Sequence, residues 1–287
     1  MSENNETPVL EVRDLSVTFR TERGIVHAVR DVSLTIHAGE AFGVVGESGA
    51  GKSALMRTIA DVQPFGTRCE VSGTILIDGK DPAGMGEGER RRFMCEKVGL
   101  IFQDPLRSLN PTYRIGVQLT EALSSLRVPG DERRRRGLDM LGATGFEDPE
   151  SILRRYPFQL SGGQRQRIGI GAAAIGHPRL LIGDEPTTAL DVTVQHQVLD
   201  VLDDIRRTTG SAFLLVTHDL DVAAERCDTI AVMREGRIVE TGPTERIVND
   251  PREPYTRALL ACIPSLDGPR LRRLPTVESV LAQGGTR

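Results

Sequence analysis

AFGVVGESGAGKS, running from Ala41 to Ser53, decides how the rest of the chain is read. Ala41–Val45 is a short, continuous apolar run that stops at a glycine, the pattern of a buried parallel strand. GESGAGKS (Gly46 to Ser53) satisfies G-x-x-x-x-G-K-S, and a helix is expected from Lys52 to about Ile59. In that strand–loop–helix setting, Gly46, Gly49 and Gly51 let the backbone turn so that its N–H groups face phosphate oxygens. The helix N-terminus adds its dipole. Lys52 is expected to reach the β- and γ-phosphates of a nucleotide, and Ser53 to bind Mg²⁺. A Gly-rich turn without chemistry is the competing reading, and the alignment of strand, motif and helix weighs against it.

Two further stretches depend on this one. LLIGDEP (Leu180 to Pro186) is an apolar strand that ends in carboxylates, placed beside the phosphate loop if the sheet is doubly wound. Asp184 is expected to hold Mg²⁺ through water and Glu185 to polarise an attacking water, unless the pair is only a solvated acidic turn. LSGGQRQR (Leu160 to Arg167) carries a good helix cap in Ser161, and Gly162-Gly163 allow an anion to approach the backbone closely. Since Lys52 and the carboxylates already serve one nucleotide, a second anion site suggests an ATP presented by a partner in a sandwich dimer. A plain capped helix is the other reading of that stretch. Gln103 after Val98–Phe102 and His218 after Phe213–Val216 are ordinary surface and structural residues taken alone, and gain weight only from their positions.

The composition permits this. With 287 residues, 39% hydrophobic and 26% charged, the chain can bury a large core. Its net charge of -4 gives no reason to expect nucleic acid as a partner. The arginine runs Arg90–Arg92 and Arg133–Arg136 fall on expected helices beside Glu87, Glu89, Asp131 and Glu132, and read as solvated faces. No apolar run approaches the ~18 residues of a membrane span, and MSENNETP is no secretion signal, so a cytoplasmic protein is expected. Cys69, Cys95, Cys227 and Cys262 are scattered, without CxxC spacing, and read as buried thiols rather than disulfides or ligands.

Strands are expected at Leu10–Val12, Ser16–Phe19, Ser33–Ile36, Gly73–Ile77, Val98–Phe102, Leu180–Ile182, Ala212–Val216, Thr229–Met233 and Arg237–Thr241. Helical periodicity takes over after Asp104, including Ile115–Leu126 and Asp131–Leu141, which suggests an inserted helical unit. Alternation of strand and helix implies an α/β fold with a largely parallel sheet. The tail from Gly242 carries one helix, Tyr255–Cys262, before a Pro- and Arg-rich end.

Together these motifs resemble the ATP-binding subunits of ABC transporters. In that family's terms, GESGAGKS is similar to the Walker A loop, LLIGDE to Walker B, LSGGQ to the signature motif and Ala189-Leu190-Asp191 to the D-loop. The resemblance implies an α/β P-loop NTPase (ABC ATPase) with a RecA-like core, an N-terminal antiparallel β subdomain and an inserted α-helical subdomain. It divides the chain into a core at 1–102 and 168–241, a helical subdomain at 103–167 and a C-terminal extension at 242–287. It makes Glu185 the catalytic base, His218 the γ-phosphate contact, Gln103 the Q-loop glutamine touching the metal, and Phe19 the aromatic that stacks on adenine. It extends the ATP contacts to Ser48, Ala50 and Ala54, and assigns Ser161, Gly162, Gly163, Gln164 and Asp191 to the ATP of the opposing subunit.

IFQDPLRSLNP (Ile101 to Pro111), GDEPTTALDVTVQ (Gly183 to Gln195) and PREPYTRALL (Pro251 to Leu260) are similar to the ATPases of oligopeptide and dipeptide importers, which include nickel-importing relatives. This implies a second, homologous but different ATPase subunit, two transmembrane permease subunits, an extracytoplasmic solute-binding protein, and a place on the cytoplasmic face of the membrane. The chain departs from the pattern in two places. No cysteine follows Cys262, so the iron–sulfur cluster of many relatives is not expected, and Ala54 stands where threonine is common. A soluble ATPase working on DNA or ribosomes would carry coiled coils, zinc motifs or a second cassette, and a non-hydrolysing regulatory module is opposed by Glu185 and His218.

Overall fold

The computed structural model describes residues 7–21, 24–62, 68–103, 109–188, 191–262 and 276–284. Strands β1 (Leu10–Thr21), β2 (Gly24–Ile36) and β4 (Arg68–Ile77) form an antiparallel sheet in the order β2-β1-β4. A six-stranded sheet contains β3 (Ala41–Val45), β5 (Val98–Ile101), β6 (Leu180–Asp184), β7 (Ala212–Thr217), β8 (Thr229–Arg234) and β9 (Arg237–Pro243), ordered β5-β6-β7-β3-β8-β9. Its neighbours are parallel except β8 and β9, which form an antiparallel pair.

The central strands are buried along their whole length, so both faces of the sheet must be covered. Because side chains alternate across a strand, each strand feeds two cores. Phe42, Val44, Leu180, Ile182, Leu214 and Val216 join Leu10, Leu15, Val17 and Ile36 of the antiparallel sheet and Leu55, Met56 and Ile59 of α1 (Lys52–Ile59). Val45, Leu181, Phe213 and Leu215 join the helical side of the molecule, which includes Leu119, Met140, Leu153 and Ile168. Each fully buried Leu or Ile contributes roughly 1.5–3 kcal/mol.

Three expectations are revised. Leu10–Val12 and Ser16–Phe19 are parts of one strand: Asp14 takes φ 50° and the chain bulges there rather than breaking. Ser33 Oγ accepts from Asp14 N–H and donates to its carboxylate, which holds the bulge against β2. The expected helix Ile115–Leu126 is two short ones, α3 (Ile115–Leu119) and α4 (Glu121–Ser125), on either side of Thr120. The Thr120 hydroxyl donates back to Gly116 O at 2.8 Å, a bond that favours a bend. The tail holds more order than expected. After α10 (Thr244–Asn249) and α11 (Pro254–Ala261), a further helix (Val277–Gly284) packs against α11, and its start is tied by Thr276 and Ser279. Residues 263–275, part of the Pro- and Arg-rich stretch, lie outside the described residues.

Glu240 on β9 anchors this tail. Its carboxylate, buried at 8% exposure, accepts from the backbone N–H of Arg252 and Glu253 just before α11 and from the Arg246 guanidinium at 2.9–3.1 Å. Burial alone would raise its pKa. The surrounding donors outweigh burial and hold the carboxyl at about 2, against an ordinary 4.5. A carboxyl whose pKa is lowered by folding contributes full stability above its unfolded value and loses it as pH falls toward the folded one. Glu240→Gln is therefore expected to flatten the acid dependence of urea unfolding between pH 4.5 and 2. Glu240→Ala, which orphans these donors, is expected to cost on the order of 3 kcal/mol.

Candidate active site

The phosphate loop lies between β3 and α1, wedged against the β8–β9 hairpin. A Cβ at Gly46 would sit 2.2 Å from Met233 O, and one at Gly51, with φ 104°, would sit 2.2 Å from Ala28 O. Gly236 N–H donates to Ala50 O at 2.9 Å and fixes the loop from the same side. No side chain caps the start of α1, so its first N–H groups are left to a ligand at the loop. Lys52 is 5% exposed, and its ammonium donates to Gly46 O at 2.7 Å and Glu47 O at 3.0 Å. Burial lowers its pKa, opposed by Glu185, Asp184 and Glu47.

The two carboxylates approach from β6, although β6 is not the neighbour of β3. β7 lies between them, yet Ser53 Oγ in the first turn of α1 donates to Asp184 Oδ1 at 3.1 Å. Asp184 is 6% exposed, and burial raises its pKa against the Ser53 hydrogen bond and the nearby Arg57. A desolvated carboxylate beside a hydroxyl is a hard-oxygen pair of the kind Mg²⁺ takes, and its charge lacks a direct cationic partner among the described residues.

Glu185 sits at the centre of three contacts. His218 Nδ1 lies 2.9 Å from Oε1, while Gln103 Nε2 donates to Oε2 at 3.1 Å and Thr188 Oγ1 donates to Oε2 at 3.0 Å. The Glu185 side chain is 18% exposed and that of His218 52%, so the carboxylate is sheltered but open on the histidine's side. The Glu185 backbone is left-handed at φ 48° and is pinned by its N–H to Val216 O at 2.8 Å. That backbone conformation is uncommon for a residue with a side chain, and here it aims the carboxylate past the end of β6.

Lys52 and Ser53 on α1, Asp184 and Glu185 at the end of β6, Gln103 after β5 and His218 after β7 thus converge from four separate elements. Ser48 and Gly49 lie exposed on the loop, Ala50 is buried beneath it, and Ala54 packs on the core under α1. The other expected residues stand elsewhere. Phe19 is half-buried on β1, opposite Val26 and Cys69. Ser161 caps α7 (Gly162–Ala174): its Oγ accepts from Gln164 N–H while Gln164 Oε1 accepts from Ser161 N–H. Among the described residues no hydrogen bond joins Ser161–Gln164 to Gly46–Ser53. A Cβ at Gly163 would meet Val194 at 2.6 Å, so α7 packs tightly on α8 (Val192–Thr209), whose own cap is Asp191. Ala189 and Leu190 lie outside the described residues, as do residues 104–108.

Two contacts escape sequence reasoning. Thr188 lies within Gly183–Gln195, where the sequence carries a resemblance but gives this residue no role of its own. Gln166, buried at 2% exposure, donates to Phe102 O at 3.4 Å and ties the LSGGQ helix to the backbone beside Gln103. A second glutamine two residues past LSGGQ was its only visible signal.

A phosphate loop, a buried aspartate on its serine and a sheltered glutamate define a P-loop nucleotide hydrolase. Residues 29–188 match the family model "ABC transporter", and residues 239–283 match "Oligopeptide/dipeptide transporter, C-terminal region". The oligopeptide transport ATP-binding protein OppD of Bacillus subtilis is 42% identical over 91% of this chain and 73% of its own length. The probable D,D-dipeptide transport ATP-binding protein DdpD of Escherichia coli is 41% identical over 94% and 82%. The dimeric post-hydrolysis cassette MJ0796 bound to ADP and Pi superposes with a TM-score of 0.70 at 26% identity, covering 82% of this chain and 98% of that one. The chain belongs to the ABC transporter family, in its oligopeptide/dipeptide branch, and is an ATP hydrolase. No described helix is long and apolar enough to cross a membrane.

Proposed function

We propose that this chain binds Mg·ATP on Gly46–Ser53 and hydrolyses it in a head-to-tail sandwich with a second, homologous ATPase subunit. The energy drives import of peptides or a related small solute through two permease subunits fed by an extracytoplasmic binding protein, with the chain on the cytoplasmic face. The observation that carries this reading is the convergence of Gln103, Thr188 and His218 on the Glu185 carboxylate, beside the Ser53–Asp184 pair. The relatives, which are named as peptide and dipeptide transport proteins, support the substrate class.

In this reading the loop N–H groups and Lys52 hold the phosphates, with Ser48, Gly49, Ala50 and Ala54 lining them, and Phe19 stacks on the base. Ser53, Asp184 and Gln103 hold Mg²⁺. When bound, the ion neutralises phosphate charge and fixes the orientation of the leaving group. Glu185 accepts the proton of the attacking water, and its three partners keep the carboxylate in one rotamer, so that a correctly placed base is present before the water arrives. His218 senses the γ-phosphate. Ser161, Gly162, Gly163, Gln164 and Asp191 complete the partner's site. The helical subdomain at 103–167 and the core at 1–102 and 168–241 flank a cleft of about 640 Å³ lined by Phe102, Leu109, Gln118 and Gln166, which suits a cytoplasmic loop of the permease.

Purification of the tagged chain from its native membrane, with identification of associated chains, tests the assignment. A second ATPase, two permease subunits and a solute-binding protein are expected, and recovery of ribosomal or DNA-repair proteins instead would overturn it.

A further inference from the structure

The extension after β9 is more than an appendage, because one of its side chains lands on the phosphate loop. Tyr255, in the first turn of α11, is 3% exposed. Its hydroxyl donates to Glu47 Oε2 at 3.2 Å and accepts from Glu47 N–H at 3.3 Å. Glu47 is the second residue of GESGAGKS, and its carbonyl in turn accepts from the Lys52 ammonium at 3.0 Å. The Glu47 peptide is thereby gripped on both sides, by Tyr255 at its N–H and by Lys52 at its oxygen. The tyrosine itself is firmly placed. The Arg234 guanidinium lies over its ring at 4.9 Å, and Glu240 fixes the backbone at residues 252 and 253, immediately before α11.

We infer that Tyr255 is a positioning residue for the nucleotide site, setting the entry of the phosphate loop through Glu47 so that Lys52 and the following N–H groups are aligned before ATP binds. This assigns the C-terminal region a role in ATP affinity, and it rests on the reading of Gly46–Ser53 as the ATP loop. The physical argument is one of preorganisation: a loop already held in its bound shape loses less conformational freedom on binding. The hydroxyl touches no expected phosphate donor, so its removal should weaken ground state and transition state alike, raising KM with kcat little changed. It is a different effect from loss of the catalytic base.

The test is equilibrium titration of the full-length chain with Mg·ATP, together with KM and kcat for the assembled complex. Tyr255→Phe keeps the ring in its slot under Arg234 and removes only the hydroxyl. It is expected to weaken ATP binding about five-fold and raise KM by the same factor, with kcat within two-fold of the parent. Glu47→Ala approaches the same contact from the exposed side of the loop and guards against an effect of α11 packing alone. The double variant should be no weaker than the worse single one, because the bond that Glu47→Ala removes is one of the two that Tyr255→Phe removes. If Lys52→Ala abolishes binding while Tyr255→Phe binds as the parent does, the inference fails and the site assignment stands. Additive losses in the double variant would equally overturn it. If Lys52→Ala leaves ATP binding intact, the loop assignment itself falls, and this inference with it.

Discussion

Glu185→Gln is expected to lower ATP turnover of the assembled complex by about 10³-fold while leaving Mg·ATP binding intact. The geometry makes the substitution clean. Glutamine fills the same volume, and its side-chain oxygen can still accept from Gln103 and Thr188, so the rotamer survives. What disappears is the basicity that takes the proton from water. A negative charge beside the phosphates also disappears, so binding should tighten rather than weaken, and the ATP-bound dimer should accumulate. Phosphate release measures the first effect, and size-exclusion chromatography with and without Mg·ATP measures the second. Normal turnover would remove Glu185 from its proposed role. Loss of ATP binding would instead make it part of the phosphate cradle.

The parts of this site that could be read from the sequence are those in which local pattern and chemistry coincide. Gly46–Ser53 and Leu180–Glu185 each combine a buried strand with the reactive residues at its end, so periodicity and motif support the same reading. Gln103 and His218 were legible only as residues following strands. Their approach to Glu185 depends on the order β5-β6-β7 of the sheet, which places the ends of three parallel strands side by side. Chain spacing carries no record of that order. The insertion of β7 between β3 and β6 was likewise invisible, and the Ser53–Asp184 bond spans it.

What lay beyond the sequence has a common cause: it concerns single backbone conformations and single contacts. The left-handed φ of Glu185 is imposed by its N–H to Val216 O, a tertiary bond, in a residue whose own preference opposes it. The bulge at Asp14 depends on Ser33 of another strand, and the break at Thr120 on a hydroxyl turning back to Gly116. The tail was underestimated for the same reason. Its order comes from Glu240, a charged residue on a short strand, which would by default be solvated but is 8% exposed and used as an acceptor for backbone N–H groups.

Replacing Ser161 separates the two explanations of LSGGQ, a helix cap or a contact with another subunit's ATP. In this chain Ser161 Oγ accepts from Gln164 N–H at 3.3 Å, so Ser161→Ala would remove a cap and a phosphate contact together, and its effect would be ambiguous. Ser161→Asp is the sharper variant. Aspartate caps helices as well as serine does, so α7 and its packing on Val194 should persist. The same carboxylate would face the γ-phosphate of the opposing ATP, where like charge is repelled in a site from which water is excluded. The variant is therefore expected to fold with an unchanged urea midpoint, to bind Mg·ATP as an isolated chain with unchanged affinity, and to lower turnover of the assembled complex by about 100-fold or more. Turnover near the parent value would reduce Ser161 to a cap. Loss of binding in the isolated chain would place the residue in its own subunit's site. Both outcomes contradict the sandwich, which requires each chain to hold one half of two sites and to depend on its partner for hydrolysis.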